Sequence, residues 1–497
     1  MKLKQLLPLA ALVALVSCNP HDLPNPHEDP STFTEISSTV IGTEGAAEIS
    51  AFDPQTKKLF VVTNTGVTQI DILDLSNPAV PVPAGFIDIS PYGGGVNSVA
   101  VYNGKLAAAV EGFNKTDDGK VVVFKTTDYA VVKQVTVGAL PDMVTYTYDG
   151  KYILTANEGE PNADYSYDPV GSVSIISVNQ HYAVTTLDFG SFAGQVNTLK
   201  AKGLRLFGPG ASFAQDMEPE YVAVSKNSTT AWVTLQENNA IAEINIPARR
   251  ITKIMPLGFK DYNLADNAID PSDRDGRIIQ NSWPVKGMYL PDAIAVVEDK
   301  GIPFLFTANE GDAREYTSFL EEQRVKDVVL DETAFPNGAV IRTDANAGRL
   351  KITNTMGDTN NDGDYDVLYS FGARSFSVWN GNNGQRLFDS NNELEDKCIA
   401  AGYYDDTRSD DKGVEPEGVT LGYVGNKAIA FVGMERSNAV AIYNINNPAQ
   451  PSFIKLLRTG IGPEGLLFIP AKDSPSGKSL LVVSSEVDGT VKIYQTN

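Results

Sequence analysis

The stretch Leu290–Asp312, LPDAIAVVEDKGIPFLFTANEGD, contains a Pro-acid pair, an alternating apolar run, a break, a second apolar run and Ala-Asn-Glu. The pattern recurs, and the sequence contains seven related units. Aligned on the residue that follows the proline here, the other six units include TEGAAEIS, VNSVAVYN, PDMVTYTY, PEYVAVSK, PEGVTLGY and PEGLLFIP. A third apolar run follows nearly every time, as in VTQIDIL and NAVAIYNI.

These units predict an all-β fold, a seven-bladed β-propeller. Repeats of roughly 40 to 50 residues with several short strands are typical of propellers, because each blade buries its faces only against its neighbours. A β-sandwich would also give many short strands, but it does not predict a repeated acid at two fixed points per unit. We expect the propeller to occupy residues 33–497, and residues 33–40 to close the ring as the outer strand of the last blade.

Extra length is concentrated in three insertions, at about 189–217, 261–287 and 313–366. Insertions in a repeat protein form loops within or between blades, and loops of this size are usually functional or ordered by a ligand. Within the third insertion, the stretch SFLEEQRVKDVV has enough helix-forming residues to predict a short helix.

The N-terminus predicts export and lipid anchoring. Lys2 and Lys4 precede an apolar run that is too short to span a bilayer, which is typical of a signal peptide over residues 1–17. The run ends in LVSC, which resembles a bacterial lipobox with Cys18 as the lipid-modified residue; an ordinary signal peptide with a chance cysteine is the alternative. Residues 18–32 are rich in proline and polar residues and predict a flexible tether. We therefore expect anchoring to a bacterial outer membrane or cell surface.

Charge and cysteine content restrict the function. Removal of the signal peptide leaves 38 basic and 62 acidic residues, a net charge of −24, and such a surface is an unfavourable partner for nucleic acid. With Cys18 acylated, Cys398 has no cysteine partner, so the fold depends on its core and ring closure instead of disulfides. We expect a monomer that binds a surface or extracellular ligand whose identity the sequence does not give.

Acidic or amide residues recur at two fixed positions in every unit. The first-position residues are Glu44, Asn97, Asp142, Glu220, Asp292, Glu417 and Glu464. The second-position residues are Asn64, Glu111, Glu158, Glu237, Glu310, Glu435 and Glu486. An antiparallel hairpin places the start of its first strand beside the end of its second, so both sets should meet at one mouth of the central channel. Clustered carboxylates need raised pKa values or bound cations; the alternative is that each acid caps its own strand.

One insertion carries a calcium-loop pattern. Oxygen-bearing side chains alternate through DTNNDGDYD, with glycine at the sixth position where the chain must bend. This spacing lets a chain wrap around one Ca²⁺ ion. The predicted ligands are Asp358, Asn360, Asp362, Asp364 and Asp366. The twelfth position is Tyr369 instead of a bidentate Glu, which excludes a complete EF-hand; a solvated acidic turn is the alternative.

The chain also resembles a known family. Segments such as LPDMVTYTYDGKYILTANEGEPN, NSWPVKGMYLPDAIAVV, FTANEGDAREY, GDTNNDGDYDVLYSFGARSFSVWN and EPEGVTLGYVGNKAIAFVGMERSNAVAIYNI are similar to the choice-of-anchor I family, which includes mesenchyme-specific cell-surface glycoproteins. The resemblance covers nearly all of the mature chain. It implies an exported, surface-anchored β-propeller, and some relatives carry a phosphatase-like label.

The leading hypothesis is a calcium-binding recognition protein without catalysis of its own. Three histidines, two of them in the tether, cannot form a catalytic triad or a zinc cluster, and no GxSxG or phosphate-binding glycine loop is present. Whether the protein is an enzyme stays open; the alternative is a calcium-dependent phosphoesterase, resembling an alkaline phosphatase or phytase, at the acidic channel mouth. Arg314, Arg374 and Arg436 could then clamp an anionic group, or could instead pair with neighbouring acids.

Overall fold

The computed structural model describes residues 27–497, so the predicted signal peptide, Cys18 and most of the predicted tether lie outside the described residues. Seven antiparallel sheets of four strands make up most of the fold. We number them sheet 1 to sheet 7. Sheet 1 contains Ala46–Asp53, Lys58–Thr63, Gln69–Asp74 and Val82–Asp88; sheet 2 contains Val96–Tyr102, Lys105–Val110, Asp118–Lys125 and Val131–Ala139. Sheet 3 contains Pro141–Tyr146, Tyr152–Asn157, Ser172–Ser177 and Ala183–Asp188; sheet 4 contains Pro219–Val224, Thr230–Leu235, Ala240–Asn245 and Arg250–Pro256.

The remaining three sheets follow the same order. Sheet 5 contains Ile294–Asp299, Ile302–Ala308, Phe376–Asn380 and Arg386–Asp389; sheet 6 contains Pro416–Val424, Lys427–Met434, Ala439–Asn444 and Ser452–Arg458. Sheet 7 contains Pro463–Ile469, Leu480–Ser485, Thr490–Gln495 and, as its outer strand, Thr34–Val40. The α-helices are Val196–Lys200, Gly338–Ile341 and Glu393–Ala401. The 3₁₀ helices are Pro30–Thr32, Val178–Gln180, Gly190–Gln195, Ala265–Asn267, Val325–Asp327, Ala347–Arg349 and Asp406–Arg408.

The sheets form a closed ring around their first strands. The first strand of each sheet contacts the first strand of the next sheet, and that of sheet 7 contacts that of sheet 1. Each pair of neighbouring sheets encloses its own apolar cluster, for example Phe60 and Phe124 between sheets 1 and 2 and Phe431 and Leu481 between sheets 6 and 7. Each sheet therefore buries both faces against its neighbours, and the molecule is a β-propeller.

The two ends of the chain meet in sheet 7. Thr34–Val40 pairs antiparallel with Thr490–Gln495, as the sequence predicts for ring closure. Glu28 is buried, and its carboxylate accepts hydrogen bonds from the Ser479 backbone N–H at 2.6 Å and from the Thr496 hydroxyl at 2.6 Å. The prediction of a flexible tether up to residue 32 is thus wrong at its end, because Glu28 and the 3₁₀ helix at Pro30–Thr32 pack against the propeller.

All the long insertions leave from one face of the ring. In a four-stranded meander, connections from the second to the third strand and from one sheet to the next emerge at the end where the first strand begins. The insertions at 189–217, 261–287 and 313–366 and an additional connection at 390–415 are of these two kinds. We call this end the acidic face, because the first- and second-position residues also lie there. Among the described residues, no helix is long and apolar enough to cross a membrane.

Two insertions fold together into a cap over the acidic face. A five-stranded sheet joins Phe259–Asp261, Val285–Met288, Leu368–Ser370, Lys351–Thr353 and Glu322–Arg324. Its apolar core includes Tyr262, Leu330 and Leu368. The predicted helix in SFLEEQRVKDVV is wrong, because that stretch forms Phe319–Leu320, Glu322–Arg324 and a short 3₁₀ turn, and pairing with Lys351–Thr353 overrides its helix propensity.

Candidate functional site

The centre of the ring holds a cavity lined by carboxylates. Its walls include Asn97, Asp142 and Glu464 from the first strands of sheets 2, 3 and 7, Asp292 just before the first strand of sheet 5, and Tyr221 from sheet 4. The cavity volume is about 50 Å³, which has room for ions or a few water molecules and is too small for an organic ligand. These first-position residues therefore converge as the repeats predict.

In unit one, Glu48 takes the first position, and the prediction of Glu44 is wrong. Glu44 is exposed before the strand starts, whereas Glu48 accepts a hydrogen bond from Asn64 Nδ2 at 3.0 Å. Repulsion from Glu486 and Asp142 reaches Glu48, so its carboxylate lies among the central acids. Between the pair of Ala46 with Thr63 and the pair of Ser50 with Val61, the first strand has two more residues than the second, whereas five other sheets have one extra residue at this place, and this shifts the acid relative to the other units.

The first- and second-position acids meet in two equivalent groups. Asp142, Glu158 and Glu220 place one oxygen each within 4.8 Å of one another, and so do Asp292, Glu310 and Glu417. In each group, two acids come from one sheet and the third from the first strand of the next sheet. The geometry of each group suits a cation with oxygen ligands.

Burial gives these carboxylates perturbed pKa values. Desolvation raises the pKa of Asp142 to about 6, and it raises the pKa of Glu158 and Glu220 well above the ordinary value, with repulsion from neighbouring acids adding to the effect. The pKa values of Asp292 and Glu417 rise for the same two reasons. The central acids therefore cannot all be ionised at neutral pH without a positive partner.

A third group of acids is already neutralised by basic side chains. Glu310, Glu415 and Glu435 also place one oxygen each within 4.8 Å of one another. Glu415 pairs with Arg408 at 2.5 Å and with Arg436 at 3.4 Å, and Lys412 lies 3.1 Å from Glu310. A metal ion would have to compete with these cations, which makes this group the poorest of the three for metal binding.

The remaining second-position acids lie further from the centre or beside cations. Glu111 has a pKa raised by burial, with Lys115 partly offsetting the effect. Burial raises the pKa of Glu435 to about 7 against the opposing charge of Arg436, which also contacts it at 2.7 Å. Burial likewise raises the pKa of Glu486.

The three candidate clamp arginines do not converge on one anion site. Arg314 is buried and forms ion pairs with Asp216 and, at 2.8 Å, with Glu218. Arg374 is equally buried, pairs with Glu395 at 3.2 Å, and donates to backbone carbonyls of the cap and of the 390–415 connection. Arg436 retains an exposed guanidinium, but it lies between Glu415 and Glu435. These contacts are those of structural ion pairs.

The predicted calcium loop is folded around its own carboxylates. Asp358 accepts hydrogen bonds from the backbone N–H groups of Asn361 at 2.6 Å and Gly363 at 3.0 Å, and Asp366 accepts one from Thr359 at 2.7 Å. Gly363 has a φ of +97°, which permits the sharp bend.

The cap supplies one more acid to this loop. Asp331 places an oxygen within 4.8 Å of oxygens of Asp364 and Asp366. Its position is fixed because Asp331 N donates to the Tyr365 carbonyl at 3.1 Å, beside the bridge between Leu330 and Tyr365. Repulsion from Asp362 and Asp331 adds to desolvation in raising the pKa of Asp364. Another Asp-rich turn, DPSDRDG at residues 270–276, differs from this loop, since Asp273 is occupied by ion pairs with Arg349 and Arg274.

Sequence reasoning missed two buried acids that a closer reading would have found. Glu218 and Glu415 each precede the proline of a unit and form Glu-Pro-Glu with the first-position acid. Both are nearly inaccessible, at 2% and 0% exposure, and both are held by arginines. The double acid around the proline occurs in these two units alone, and that was the available signal.

Comparisons with known proteins agree with this fold. Hydrazine synthase of Kuenenia stuttgartiensis matches with a TM-score of 0.50 at 12% identity, covering 92% of this chain and 97% of that chain. The WD40 repeats of RRP9 match with a TM-score of 0.51 at 10% identity, covering 96% and 99%. At such low identity these matches show the fold alone.

Two sequence comparisons are more specific. Gigasin-3a of Magallana gigas is 28% identical over an alignment of 188 residues. The match covers 31% of this chain and 66% of that protein, slightly less than two thirds of its length. The model of the choice-of-anchor I domain matches residues 48–448, which includes most of the ring, the cap and the predicted calcium loop. Because this match spans most of the chain, the protein belongs to the choice-of-anchor I family.

Proposed function

We propose that this protein is a lipid-anchored, calcium-binding surface propeller that presents its acidic face for recognition. The observation that carries the calcium part is the closeness of Asp331 to Asp364 and Asp366, because a residue from outside the loop adds an acid to a loop whose twelfth position is Tyr369 instead of Glu. Membership of the choice-of-anchor I family fits a surface or exported protein. The anchor itself is proposed from the LVSC sequence that ends at Cys18.

The loop is proposed to bind one Ca²⁺ ion through Asp358, Asn360, Asp362, Asp364 and Asp366, with Asp331 as a further ligand. Calcium takes six to eight oxygen ligands, and side chains from these positions together with a backbone carbonyl and water would supply them. Binding would replace the repulsion of Asp364 by Asp362 and Asp331 with coordination to the ion. Since Leu330 and Leu368 flank the ligands within the cap core, the ion would tie two segments of the cap together.

Thermal melts with calcium and with chelator test the proposal. We expect calcium at a hundredfold excess over Kd to stabilise the protein by about 2.7 kcal/mol. The double substitution Asp362→Ala and Asp364→Ala should abolish the shift, and Asp331→Asn should reduce it. Glu332→Gln is the matched control, because Glu332 is exposed beside Asp331 and its loss should change nothing.

The outcomes of these melts distinguish calcium binding at the loop from calcium binding in the central channel. If the parent shows no calcium-dependent shift, the calcium proposal is wrong. If the double variant keeps the full shift, the ion binds elsewhere and the two groups of central carboxylates become the better candidates.

A second candidate function is calcium-dependent phosphoester hydrolysis. It is favoured by the two groups of three carboxylates, which could hold metal ions, and by Lys412, which lies 3.1 Å from Glu310 of the second group. Metal ions held in this way bind phosphate and activate water. The test is a hydrolysis screen of the mature protein against p-nitrophenyl phosphate, a phosphodiester and phytate, with and without Ca²⁺. Activity that needs calcium and is lost in Glu220→Gln would support it, and no turnover would exclude these substrates.

A further inference from the structure

The end of the ring opposite the acidic face is rich in lysine. This end, which we call the base, is formed by the turns that join the first strand to the second and the third strand to the fourth within the sheets. The whole chain has 40 basic and 62 acidic residues. The turns of the base reverse this balance: their basic residues are Lys57, Lys151, Lys226, Arg249, Lys300, Lys472 and Lys478, and their acids are Asp128, Asp149 and Asp473.

Contacts between neighbouring sheets join these turns into one surface. The Gln55 side chain donates to Asn103 Oδ1 at 2.9 Å, which links the turns of sheets 1 and 2. The backbone N–H of Asp149 donates to Ser228 Oγ at 3.1 Å, which links the turns of sheets 3 and 4. The lysines of the base therefore belong to a shared face of the ring instead of separate, independent loops.

Most of the lysines of the base lack a carboxylate partner. Lys151 pairs with Asp149 at 2.9 Å, and Lys300 pairs with Asp299 at 3.7 Å. The other four form no ion pair with any described residue: Lys57, Lys226, Lys472 and Lys478. In the third group of acids on the acidic face, by contrast, each basic side chain is paired. The base therefore offers positive charge that an anionic partner can neutralise.

Large apolar side chains are exposed on the same surface. Tyr148, in the first turn of sheet 3, is 61% exposed. Val80, in the second turn of sheet 1, and Tyr423, near the base end of the first strand of sheet 6, are exposed to a similar extent. Tyrosine is favoured where water meets lipid, because its ring packs against apolar groups while its hydroxyl stays hydrated. Lysine together with exposed tyrosine suits a surface that contacts lipid headgroups.

The path of the chain favours a bilayer over a soluble acidic protein as the partner. The chain reaches the propeller at the base, where Glu28 is buried against sheet 7 and Asp29 pairs with Lys427 at 3.1 Å. With the lipid proposed at Cys18, a bilayer is presented to the base at a high effective concentration, and a soluble partner is not.

We propose that the base binds the anionic headgroups of the bilayer that holds the protein. The choice of a bilayer rests on the proposed lipid anchor. The acidic face lies about one strand length away, roughly 20 Å, which is about two Debye lengths at 0.1 M salt, so its carboxylates are largely screened from the headgroups. Each lysine at an anionic surface adds about fivefold to the affinity. The contact alone is weak and reversible, so a chain without its lipid should leave the membrane on dilution.

Sedimentation with vesicles tests the proposal on the mature chain that carries Cys18→Ser and has no lipid of its own. The anionic vesicles contain equal parts of phosphatidylglycerol and phosphatidylcholine, and the neutral vesicles contain phosphatidylcholine alone. We expect binding to the anionic vesicles at about 0.1 M salt, no binding to the neutral ones, and loss of binding at about 1 M salt, where the Debye length is about 3 Å.

A pair of double variants locates the contact. Lys57→Gln with Lys226→Gln removes two unpaired charges from the base and should weaken binding roughly 25-fold. Lys200→Gln with Lys202→Gln is the matched control, because both lysines are exposed in the 189–217 insertion, which leaves from the acidic face. This control should keep the affinity of the parent.

The other results overturn the proposal. These are no binding to anionic vesicles, equal binding to neutral vesicles, or an equal loss in both double variants, which would mean that total charge and not the base decides. Tighter binding to soluble polyglutamate than to vesicles would mean an acidic protein partner. The lipid is tested separately, by fractionation of cells that carry Cys18→Ser, so failure of the anchor and failure of the base are different results.

Discussion

Replacing Glu48 by glutamine tests whether the central carboxylates destabilise the fold when no cation neutralises them. Burial, with added repulsion from Glu486 and Asp142, raises the pKa of Glu48 to about 8. Glutamine keeps an oxygen for the hydrogen bond from Asn64 Nδ2, now 3.0 Å long, and removes the charge. The substitution therefore isolates the electrostatic cost of this one group.

The sign and size of the expected change in folding stability follow from the pKa values of Glu48 in the folded and the unfolded state. The folded value is about 8 and the ordinary value is 4.5, so between these pH values the folded state binds the extra proton and its stability falls as pH rises. At about 1.36 kcal/mol per pKa unit, Glu48 destabilises the folded state by at most roughly 3 kcal/mol at pH 7 and roughly 5 kcal/mol above pH 8. Because Glu48 is only partly buried, screening by solvent reduces these values, to roughly half.

The assay is a series of thermal melts of parent and Glu48→Gln between pH 4 and pH 9 in chelator. An unfolding entropy of roughly 1 kcal/mol per degree for a fold of this size gives a Tm gain of about 2 °C at pH 8. The gain should vanish below pH 4.5. Glu44→Gln, an exposed neighbour, is the control and should stay within about 0.5 kcal/mol of the parent at every pH. A variant less stable than the parent at pH 8, or a difference independent of pH, would refute this reasoning.

Three further predictions concern the anchor, the ring and the buried ion pairs. Cys18→Ser should move the protein from the membrane fraction to the soluble fraction, and unchanged fractionation would exclude lipidation at this residue. Deleting Thr34–Val40 should clearly lower the Tm because Thr490–Gln495 loses its partner strand, whereas an unchanged melt would mean that this pairing does not hold the ring closed. Arg314→Met should cost about 3–5 kcal/mol because it leaves buried acids unpaired, and adding Glu218→Gln should restore part of that loss; a stable single variant would argue for an anion-binding Arg314 instead.

The repeating strands could be predicted because the residue pattern that specifies each strand lies within the strand itself. Each unit alternates apolar residues within six to nine positions, and its acid stands at the start of the first strand. Unit one was misread because Glu44 and Glu48 stand four residues apart, and only the irregular pairing of Ala46–Asp53 decides between them. An irregularity of this kind depends on the partner strand, so the sequence of the segment alone does not reveal it.

The cap could not be predicted because its pairing is not local. Its strands have three or four residues, too few for a period to appear. Val285–Met288 pairs in parallel with Leu368–Ser370, which follows some eighty residues later. The acid Asp331 shows the same limit, because the sequence predicts a calcium loop from consecutive residues, whereas the acid that lies beside Asp364 and Asp366 belongs to a different segment of the cap.

The docking of Glu28 beside Ser479 and Thr496 has a consequence for how the molecule would stand on a membrane. Ser479 precedes the second strand of sheet 7 and Thr496 follows the third, so the chain enters the propeller at the end opposite the acidic face. Nine residues separate Cys18 from Glu28. At about 3.5 Å per residue, this segment spans at most roughly 30 Å. A lipid at Cys18 would therefore hold that opposite end close to the bilayer and point the cap outward, toward whatever approaches from the surroundings.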